Sequence, residues 1–190
     1  VDIGGGTTDI AVISLGGVVR SKSLHVAGAR FNQDIINYVR DEFKILLGER
    51  TVEEVKVAIG AATRQGSGNE TLVRGRDLVT GLPREVTITD SDIREAIFNS
   101  LATFVDAVKE VLESTPPEVV SDIMRRGLVL TGGSANLRGL RELLEKELEI
   151  PVRLADDPLT AVVRGTGVVL DDLNHYRDIL IDNEDELPPR

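Results

Sequence analysis

The first dozen residues combine residue types that suit the binding of a phosphate. An apolar strand ends at Ile3, three consecutive glycines and two threonines follow, and an apolar strand resumes at Ile10. Glycines let a ligand approach the backbone N–H groups without interference from a Cβ atom. Backbone donors and threonine hydroxyls, with Asp2 just before them, suit a phosphate and its metal ion. A glycine hairpin turn has the same pattern, so this stretch alone leaves both interpretations open.

A second pair of glycines follows an apolar run near the other end of the chain. Leu128–Leu130 is continuously apolar, which is typical of a strand covered on both faces in a parallel sheet. It leads into Gly132 and Gly133, and leucines at helical spacing come next. Ligands of open α/β sheets lie beyond the carboxyl ends of strands, where a helix N-terminus offers free N–H groups. An ordinary strand-to-helix turn would look similar.

The elements that must position the first glycine loop are predicted from periodicity. Residues 10–15 and 18–26 read as two strands joined by a hairpin turn at Gly16 and Gly17. Apolar residues at helical spacing from Phe31 onward predict a helix that ends at Gly48. Thr51 and Glu54 then have the spacing of a capping box at the start of the next helix.

A small α+β insertion and a long helix are predicted next. Residues 71–76 and 85–89 read as short strands, and a helix is expected from Asp90. Residues 115–118 predict another helix start, with proline in the first turn and Glu118 completing a capping box, and Gly127 is expected to end that helix.

The last third of the chain is predicted to contain a strand, a helix and a tail. Residues 151–155 read as the strand, and Asp157 is expected to cap a helix that has Pro158 at its first position. Gly165 and Gly167 inside that helix predict either a close helix approach or a hinge. The acidic residues 174–190 are expected to form a flexible, solvated tail.

Composition excludes several classes of function. The chain has 190 residues, 41% of them apolar, which is enough for one good core with a small appended subdomain. It contains no cysteine, and His25 and His175 are expected to be structural or solvent-facing. The net charge of −10 argues against binding to nucleic acid or to an anionic membrane. No apolar run reaches the length of a membrane span, so a soluble cytoplasmic protein is predicted.

The chain begins at Val1, inside an apolar strand and without an initiator methionine. We therefore expect it to be the C-terminal part of a longer protein. That expectation affects every statement about activity, because a site built between two halves needs both of them.

Several stretches of the sequence together resemble a known family. Residues 2–9 resemble the second phosphate motif of the actin-fold ATPases, residues 130–137 their adenosine motif, and residues 157–167 their second connecting helix. Within that superfamily the sequence resembles MreB, the family of bacterial actin homologues. The stretches that carry this closer resemblance are residues 11–16, 35–40, 48–51, 81–84 and 115–123.

The resemblance implies a fold and a division of the chain. The fold would be an α/β, ribonuclease H-like actin-type ATPase domain, with a mixed sheet flanked by helices and a small α+β insertion. Residues 1–50 and 98–173 would form the nucleotide-binding core, called subdomain IIA in this family. Residues 51–97 would form the insertion, subdomain IIB, and residues 174–190 the tail.

The resemblance also implies roles for individual residues. Asp2 would hold the water shell of Mg²⁺, and Gly5, Gly6 and Thr7 would cradle the β- and γ-phosphates of ATP. Glu53 and Lys56 would reach the ribose and adenine, although they would equally suit the exposed face of an ordinary helix. The complete set of implied nucleotide-binding residues is Asp2, Gly4, Gly5, Gly6, Thr7, Thr8, Glu53, Lys56, Gly132, Gly133, Ser134 and Ala135.

The function implied by the resemblance is that of a cytoskeletal ATPase. Filaments formed with ATP and Mg²⁺ would lie in the cytoplasm at the inner face of the membrane and help determine rod shape. The implied partners are other copies of the protein, its N-terminal half, the membrane adaptor RodZ and the machinery of wall elongation. This half alone is expected to bind nucleotide weakly and to hydrolyse none. The alternative is a non-filamentous actin-fold ATPase, of the chaperone or sugar-kinase type.

Overall fold

The structure is a computed structural model, and it describes residues 1–64 and 68–177. Strands and helices alternate along the chain. In chain order the elements are β1 (Asp2–Ile3), β2 (Thr8–Ser14), β3 (Gly17–Leu24), α1 (Gly28–Phe43), β4 (Ile45–Leu46), α2 (Glu49–Ile59), β5 (Glu70–Asp77), β6 (Pro83–Thr89), α3 (Asp90–Glu113), α4 (Pro117–Arg126), β7 (Leu128–Leu130), α5 (Leu140–Leu148), β8 (Val152–Leu154) and α6 (Ala161–Asp171).

The main sheet is mixed, and its strands lie in the order β3-β2-β1-β7-β8. The first three pair antiparallel, whereas β7 and β8 pair parallel. A parallel bridge joins Asp2 to Thr131, and the backbone N–H of Ile3 donates to the Thr131 carbonyl at 2.8 Å. Both glycine loops therefore leave the sheet at the same edge, as predicted from the ends of the two strands.

The hairpin between β2 and β3 turns one residue earlier than predicted. Ser14 pairs with Gly17, so the two turn residues are Leu15 and Gly16, with φ of 52° and 81°. Positive φ at both central positions is the geometry of the type I′ turn, which matches the twist of the flanking strands. The prediction of a hairpin is confirmed, and its placement at Gly16 and Gly17 is wrong.

Two predicted helix boundaries between α1 and α2 are wrong. Helix α1 ends at Phe43 because Lys44 adopts a left-handed conformation with φ of 56°, and the chain then continues as strand β4. Gly48 is consequently the N-cap of α2 and does not end α1. Thr51 lies inside α2, so its predicted capping box with Glu54 does not form.

The predicted long helix from Asp90 is confirmed, and it connects the insertion to the main sheet. Helix α3 has 24 residues, about 36 Å at 1.5 Å per residue. Its capping box lies one residue upstream of the predicted start, between Thr89 and Asp92. The Tyr38 hydroxyl of α1 contacts Glu95 in the N-terminal part of α3, while Arg20 of β3 donates to the Ser114 carbonyl just beyond its C-terminal end.

Helix α4 starts as predicted, but without the predicted capping box. Pro117 occupies the first helical position and Gly127 ends the helix, as expected from the sequence. The N-cap of α4 is Pro116, so Thr115 lies one residue too early to cap this helix, and its hydroxyl donates to the Val111 carbonyl of α3 at 2.6 Å. The box with Glu118 is therefore wrong.

Helix α6 begins later than predicted. Asp157 has φ of 45° and lies in a turn, so the helix starts at Ala161 and Thr160 is its N-cap. A Cβ atom at Gly165 or Gly167 would meet no described atom within 4 Å. The prediction of a close helix approach is wrong for the described residues, and the hinge stays a prediction.

Most of the predicted tail, residues 178–190, lies outside the described residues. The division into residues 1–50 with 98–173 and residues 51–97 stays a prediction, because one continuous core cluster contains residues of both parts. Within residues 1–64 and 68–177, none of the helices is long and apolar enough to cross a membrane.

Candidate functional site

A cleft of about 770 Å³ lies where the two glycine loops meet the N-terminal end of α1 and one face of α2. Such a volume is within the range of small-molecule and cofactor sites. The implied site residues that line it are Asp2, Gly4, Gly5, Glu53, Lys56, Gly132, Gly133 and Ser134. Residues far apart in the sequence therefore converge on one cavity.

The carbonyl groups of the first glycine loop are fixed by neighbouring segments. The Gly4 carbonyl accepts from the Gly28 N–H and from the Ser134 hydroxyl, each at 3.1 Å, and the Gly5 carbonyl accepts from the Ala29 N–H at 2.7 Å. Among the described residues, the N–H groups of Gly5 and Gly6 have no acceptor, and both glycines are exposed. The loop is thus held by its carbonyls and leaves N–H donors for an anion.

Two of the three glycines in this loop are explained by the open space beside them, and none of the three by a strained backbone conformation. Gly4, Gly5 and Gly6 all have ordinary backbone conformations, because none of them has positive φ. A Cβ atom at Gly5 or Gly6 would meet no described atom within 4 Å. The open space beside these two residues is therefore available to a ligand.

Asp2 brings a buried carboxylate oxygen to the cleft. Its Oδ1 atom is inaccessible to solvent and has no hydrogen-bond partner among the described residues. Burial, and then the negative charge of Asp9 on the neighbouring strand, raise the pKa of the Asp2 carboxyl, while the N-terminal amino group opposes them. An unsatisfied buried oxygen is costly, and the negative charge of this carboxylate, which borders the cleft, suits a cation and its bound water.

Gly132 makes the close approach of the two loops possible. It has φ of 86°, and a Cβ atom there would lie 2.4 Å from both Asp2 Oδ1 and the Ile3 carbonyl oxygen. Only glycine avoids both the strain and the clash. The glycine predicted from the sequence as a ligand residue thus also positions Asp2.

Glu53, Lys56 and Asn32 form a bonded group on the helical side of the cleft. Lys56 is buried, and its Nζ donates to Glu53 Oε2 at 2.8 Å and to the Gly28 carbonyl at 3.2 Å. Asn32 Nδ2 donates to the same Glu53 oxygen at 2.7 Å. Burial raises the pKa of Glu53, but the hydrogen bonds from Lys56 and Asn32 outweigh it, so the net pKa is lowered. This carboxylate is held in one position as a hydrogen-bond acceptor.

Four implied site residues lie outside the cavity lining. Thr8 is fully buried and its hydroxyl donates to the Val26 carbonyl at 2.6 Å, while the Thr7 hydroxyl donates to Asp9 at 3.2 Å. Gly6 is exposed, and Ala135, within the second loop, is buried. Ligand contacts of these four residues stay predictions.

Several residues that line the cleft were not among the predicted site residues. Asn32 lies in the first turns of α1, and Arg138 donates from Nε to the Gly60 carbonyl at 3.1 Å. Val57, Leu137 and Leu159 add apolar surface, as a planar base would require. Leu137 and Leu159 lie in the stretches that carry the family resemblance, and Asn32 is a polar residue among the apolar positions of a helix, so these three had a signal in the sequence.

A mixed sheet in the order β3-β2-β1-β7-β8, with two glycine loops at one edge and an inserted helical element, defines the class of actin-like proteins. A filamentous protein of similar fold supports the class: a MamK double helical filament aligns with a TM-score of 0.76 and 20% identity, covering 90% of this chain and 53% of that one. At that identity the likeness shows the fold alone.

Sequence comparison identifies the family. The MreB/Mbl family model matches residues 1–178, and the chain belongs to that family. It is 48% identical over 174 residues to the cell shape-determining protein Mbl of Bacillus subtilis, covering 92% of this chain and 52% of the relative. It is 49% identical over 184 residues to the cell shape-determining protein MreB of Escherichia coli K12, covering 97% of this chain and 53% of the relative. The chain therefore spans about half the length of the curated relatives it matches.

The solved structure of MreB5 of Spiroplasma citri bound to AMPPNP is similar throughout the chain. It aligns with a TM-score of 0.88 and 39% identity, covering 93% of this chain and 53% of that one. The same protein bound to ADP aligns with a TM-score of 0.89. The predicted actin-type α/β fold and the predicted membership of the family are both confirmed.

Proposed function

We propose that this chain forms one wall of a site for ATP and Mg²⁺ in a filament-forming, cell shape-determining protein. The observation that carries the proposal is the carboxylate of Asp2, whose Oδ1 is buried without a partner against Gly132 and which lines the same cleft as the exposed Gly5. A carboxylate oxygen next to free backbone donors suits a hydrated cation and the phosphate that it accompanies. The relative MreB5 was solved with AMPPNP and with ADP, which supports the choice of nucleotide.

The residues present fit Mg²⁺ held through water. Among the described residues, no three His, Cys, Asp or Glu side chains converge to ligate a metal directly. Asp2 would orient the water shell of an ion whose other ligands include the phosphates, which is how Mg²⁺ is usually bound. Bound Mg²⁺ would neutralise phosphate charge, while Gly5 and Gly6 would donate to phosphate oxygens.

The helical side of the cleft suits the nucleoside. Glu53 presents a fixed carboxylate acceptor for ribose hydroxyls, and the apolar surface of Val57 and Leu137 suits the faces of a purine ring. Phosphoryl transfer needs donors and a positioned water on both sides of the phosphates. We therefore propose that the chain binds nucleotide weakly by itself and that hydrolysis belongs to the longer protein.

The proposal also includes self-assembly and the determination of rod shape. It further includes a location at the membrane face and the partner RodZ. Their support is membership of a family whose curated relatives are named cell shape-determining proteins. Sedimentation of the full-length protein with ATP tests assembly. A protein that stays in the supernatant at every nucleotide and salt condition would refute the filament.

Nucleotide binding by the 190-residue chain is best tested by NMR titration, because weak binding is expected. Addition of ATP and Mg²⁺ should shift the amide signals of Gly5, Gly6 and Gly133, with a Kd of about 0.1 mM or weaker. The Asp2→Asn variant should bind ATP without the added benefit of Mg²⁺, and Asp106→Asn, an exposed acid on α3, is the matched control. Shifts that are absent, or that avoid the cleft, would refute the site.

A further inference from the structure

A second groove, of about 800 Å³, lies between α1 and α3. It is separate from the nucleotide cleft because it is lined by the middle and C-terminal part of α1 and the first turns of α3. The two helices run antiparallel here, since Asp34 accepts a hydrogen bond from Ser100 while Tyr38 contacts Glu95. A groove between two antiparallel helices has the shape that receives a third helix.

The groove is acidic, and two of its acids lack a counter-ion. Asp34 pairs with Arg30 at 3.1 Å, whereas Glu42 and Glu95 form no ion pair within the described part of the chain. Arg94 is the only basic residue of the lining, against three acids, so the lining carries an excess of two negative charges. Such a surface favours a positively charged partner.

The Tyr38 hydroxyl adds to the excess of acceptors. It lies 3.2 Å from Glu95 Oε2 and 3.3 Å from Asp92 Oδ1, but it has only one proton to donate. Asp92 also accepts from Thr89, whereas Glu95 is exposed and has Tyr38 as its one donor among the described contacts. A carboxylate can accept several hydrogen bonds, so Glu95 keeps acceptor positions for a partner.

Arg94 has a donor without an acceptor. Its Nη2 donates to the Ser91 hydroxyl at 3.1 Å, but its Nη1 is buried and has no partner among the described residues. A buried guanidinium donor left unpaired is costly. Arg94 lines the groove, so rotation of its side chain would bring this donor to a backbone carbonyl or a side-chain oxygen of a bound segment.

Phe98 provides an apolar anchor point at the groove. It is 64% exposed, although Ile97 and Leu101 beside it on α3 are buried in the core. Aromatic side chains at the centre of an interface contribute a large share of the binding energy when a partner covers them.

We propose that the groove between α1 and α3 docks a basic amphipathic segment of a partner protein, with an apolar side chain on Phe98 and cationic side chains on Glu42 and Glu95. A second copy of this chain suits the groove poorly, since the chain carries a net charge of −10. This docking site is independent of the nucleotide site, because no residue of one lines the other.

The test is selection of displayed random 14-residue peptides on the 190-residue chain, followed by fluorescence anisotropy of the enriched sequences. We expect the enriched peptides to carry net positive charge and an aromatic or large aliphatic residue. Their affinity should fall about tenfold for Phe98→Ala and for the double variant E42Q/E95Q. The matched controls are Met124→Ala, an exposed apolar residue of α4, and Glu113→Gln, an exposed acid of α3.

Three results would overturn the proposal. Enriched peptides without net positive charge would contradict the electrostatic argument. Equal loss of affinity for the groove variants and the control variants would show general attraction to an acidic surface. Displacement of the peptides by spermidine, with no effect of Phe98→Ala, would assign the groove to small polycations instead. All the groove variants alter side chains at the surface, so circular dichroism should show unchanged folding.

Discussion

Gly132 and Asp2 are in direct contact across the two glycine loops, and a single Cβ atom would separate them. That atom would lie 2.4 Å from Asp2 Oδ1 and from the Ile3 carbonyl oxygen, and φ of Gly132 is 86°. The position of the carboxylate that we assign to Mg²⁺ thus depends on the absence of a side chain on the neighbouring loop.

Gly132→Ala should destabilise the chain by about 3 kcal/mol or more and abolish nucleotide binding, because it adds backbone strain to a steric clash. Urea unfolding followed by circular dichroism measures the first effect and NMR titration the second. Gly167→Ala in α6 is the control, since its added Cβ would meet no described atom within 4 Å apart from its chain neighbours and the backbone of its own helix. It should stabilise α6 by about 0.5 to 1 kcal/mol. Similar unfolding curves for the two variants would contradict the geometry of the loops.

Lys56→Met should weaken binding of ATP about tenfold. The substitution keeps the length of the side chain but removes the ammonium that holds both Glu53 and the Gly28 carbonyl. The same titration of Arg50→Met is the control, because the pair of Arg50 with Glu54 lies on the exposed side of the same helix. An exposed pair contributes little, so its loss should leave affinity unchanged. Equal affinities of both variants would exclude Lys56 from the site.

Thr89→Ala should cost about 1 kcal/mol of stability, because Thr89 caps α3 through the capping box with Asp92. Thr51→Ala, the other threonine with a capping-box spacing, should be neutral or slightly stabilising, since Thr51 lies inside α2 and alanine favours helix. Chemical denaturation of both variants measures the difference. A larger loss for Thr51→Ala would contradict the observed helix starts.

The stability of the β5–β6 hairpin should depend on pH through Asp77. Its carboxylate accepts from the N–H groups of Thr80 and Val79, each at 2.8 Å, and from Arg84 at 3.0 Å. The bond from Thr80, followed by those from Arg84 and Val79, lowers the pKa of Asp77 to about 2. The unfolded pKa is about 3.9, so the stabilisation is complete above that value and is lost as the pH falls towards 2.

Thermal unfolding at a series of pH values checks this dependence. Asp77→Asn should lower Tm at pH 7. The difference in Tm between this variant and the unsubstituted chain should become smaller as the pH falls from about 4 to about 2. Asp106→Asn on α3 is the control and should leave Tm unchanged at every pH. A difference in Tm that stays constant with pH would refute the assignment of this stabilisation to the charged carboxylate of Asp77.

Patterns of neighbouring residues were enough to predict most helices and strands. The helix from Asp90 and the apolar strand Leu128–Leu130 are local patterns of period and composition, and both are confirmed. Helix ends were less predictable, because residue type alone does not fix the backbone conformation at a helix end. Lys44 ends α1 in a left-handed conformation, and α4 takes Pro116 as its N-cap although Thr115 has the residue type of a cap.

The sequence by itself determined the family, the α/β class and the two glycine loops, because these follow from residue types at fixed short spacings. Only the tertiary structure decided what those residues do together. It buried Asp2 Oδ1 without a partner, bonded Glu53 to Asn32 as well as to Lys56, and gave the hydroxyls of Thr7 and Thr8 the acceptors Asp9 and Val26. The physical reason is that hydrogen bonds and burial join residues up to 130 positions apart, such as Ser134 and Gly4. Such pairings are not encoded in any local pattern.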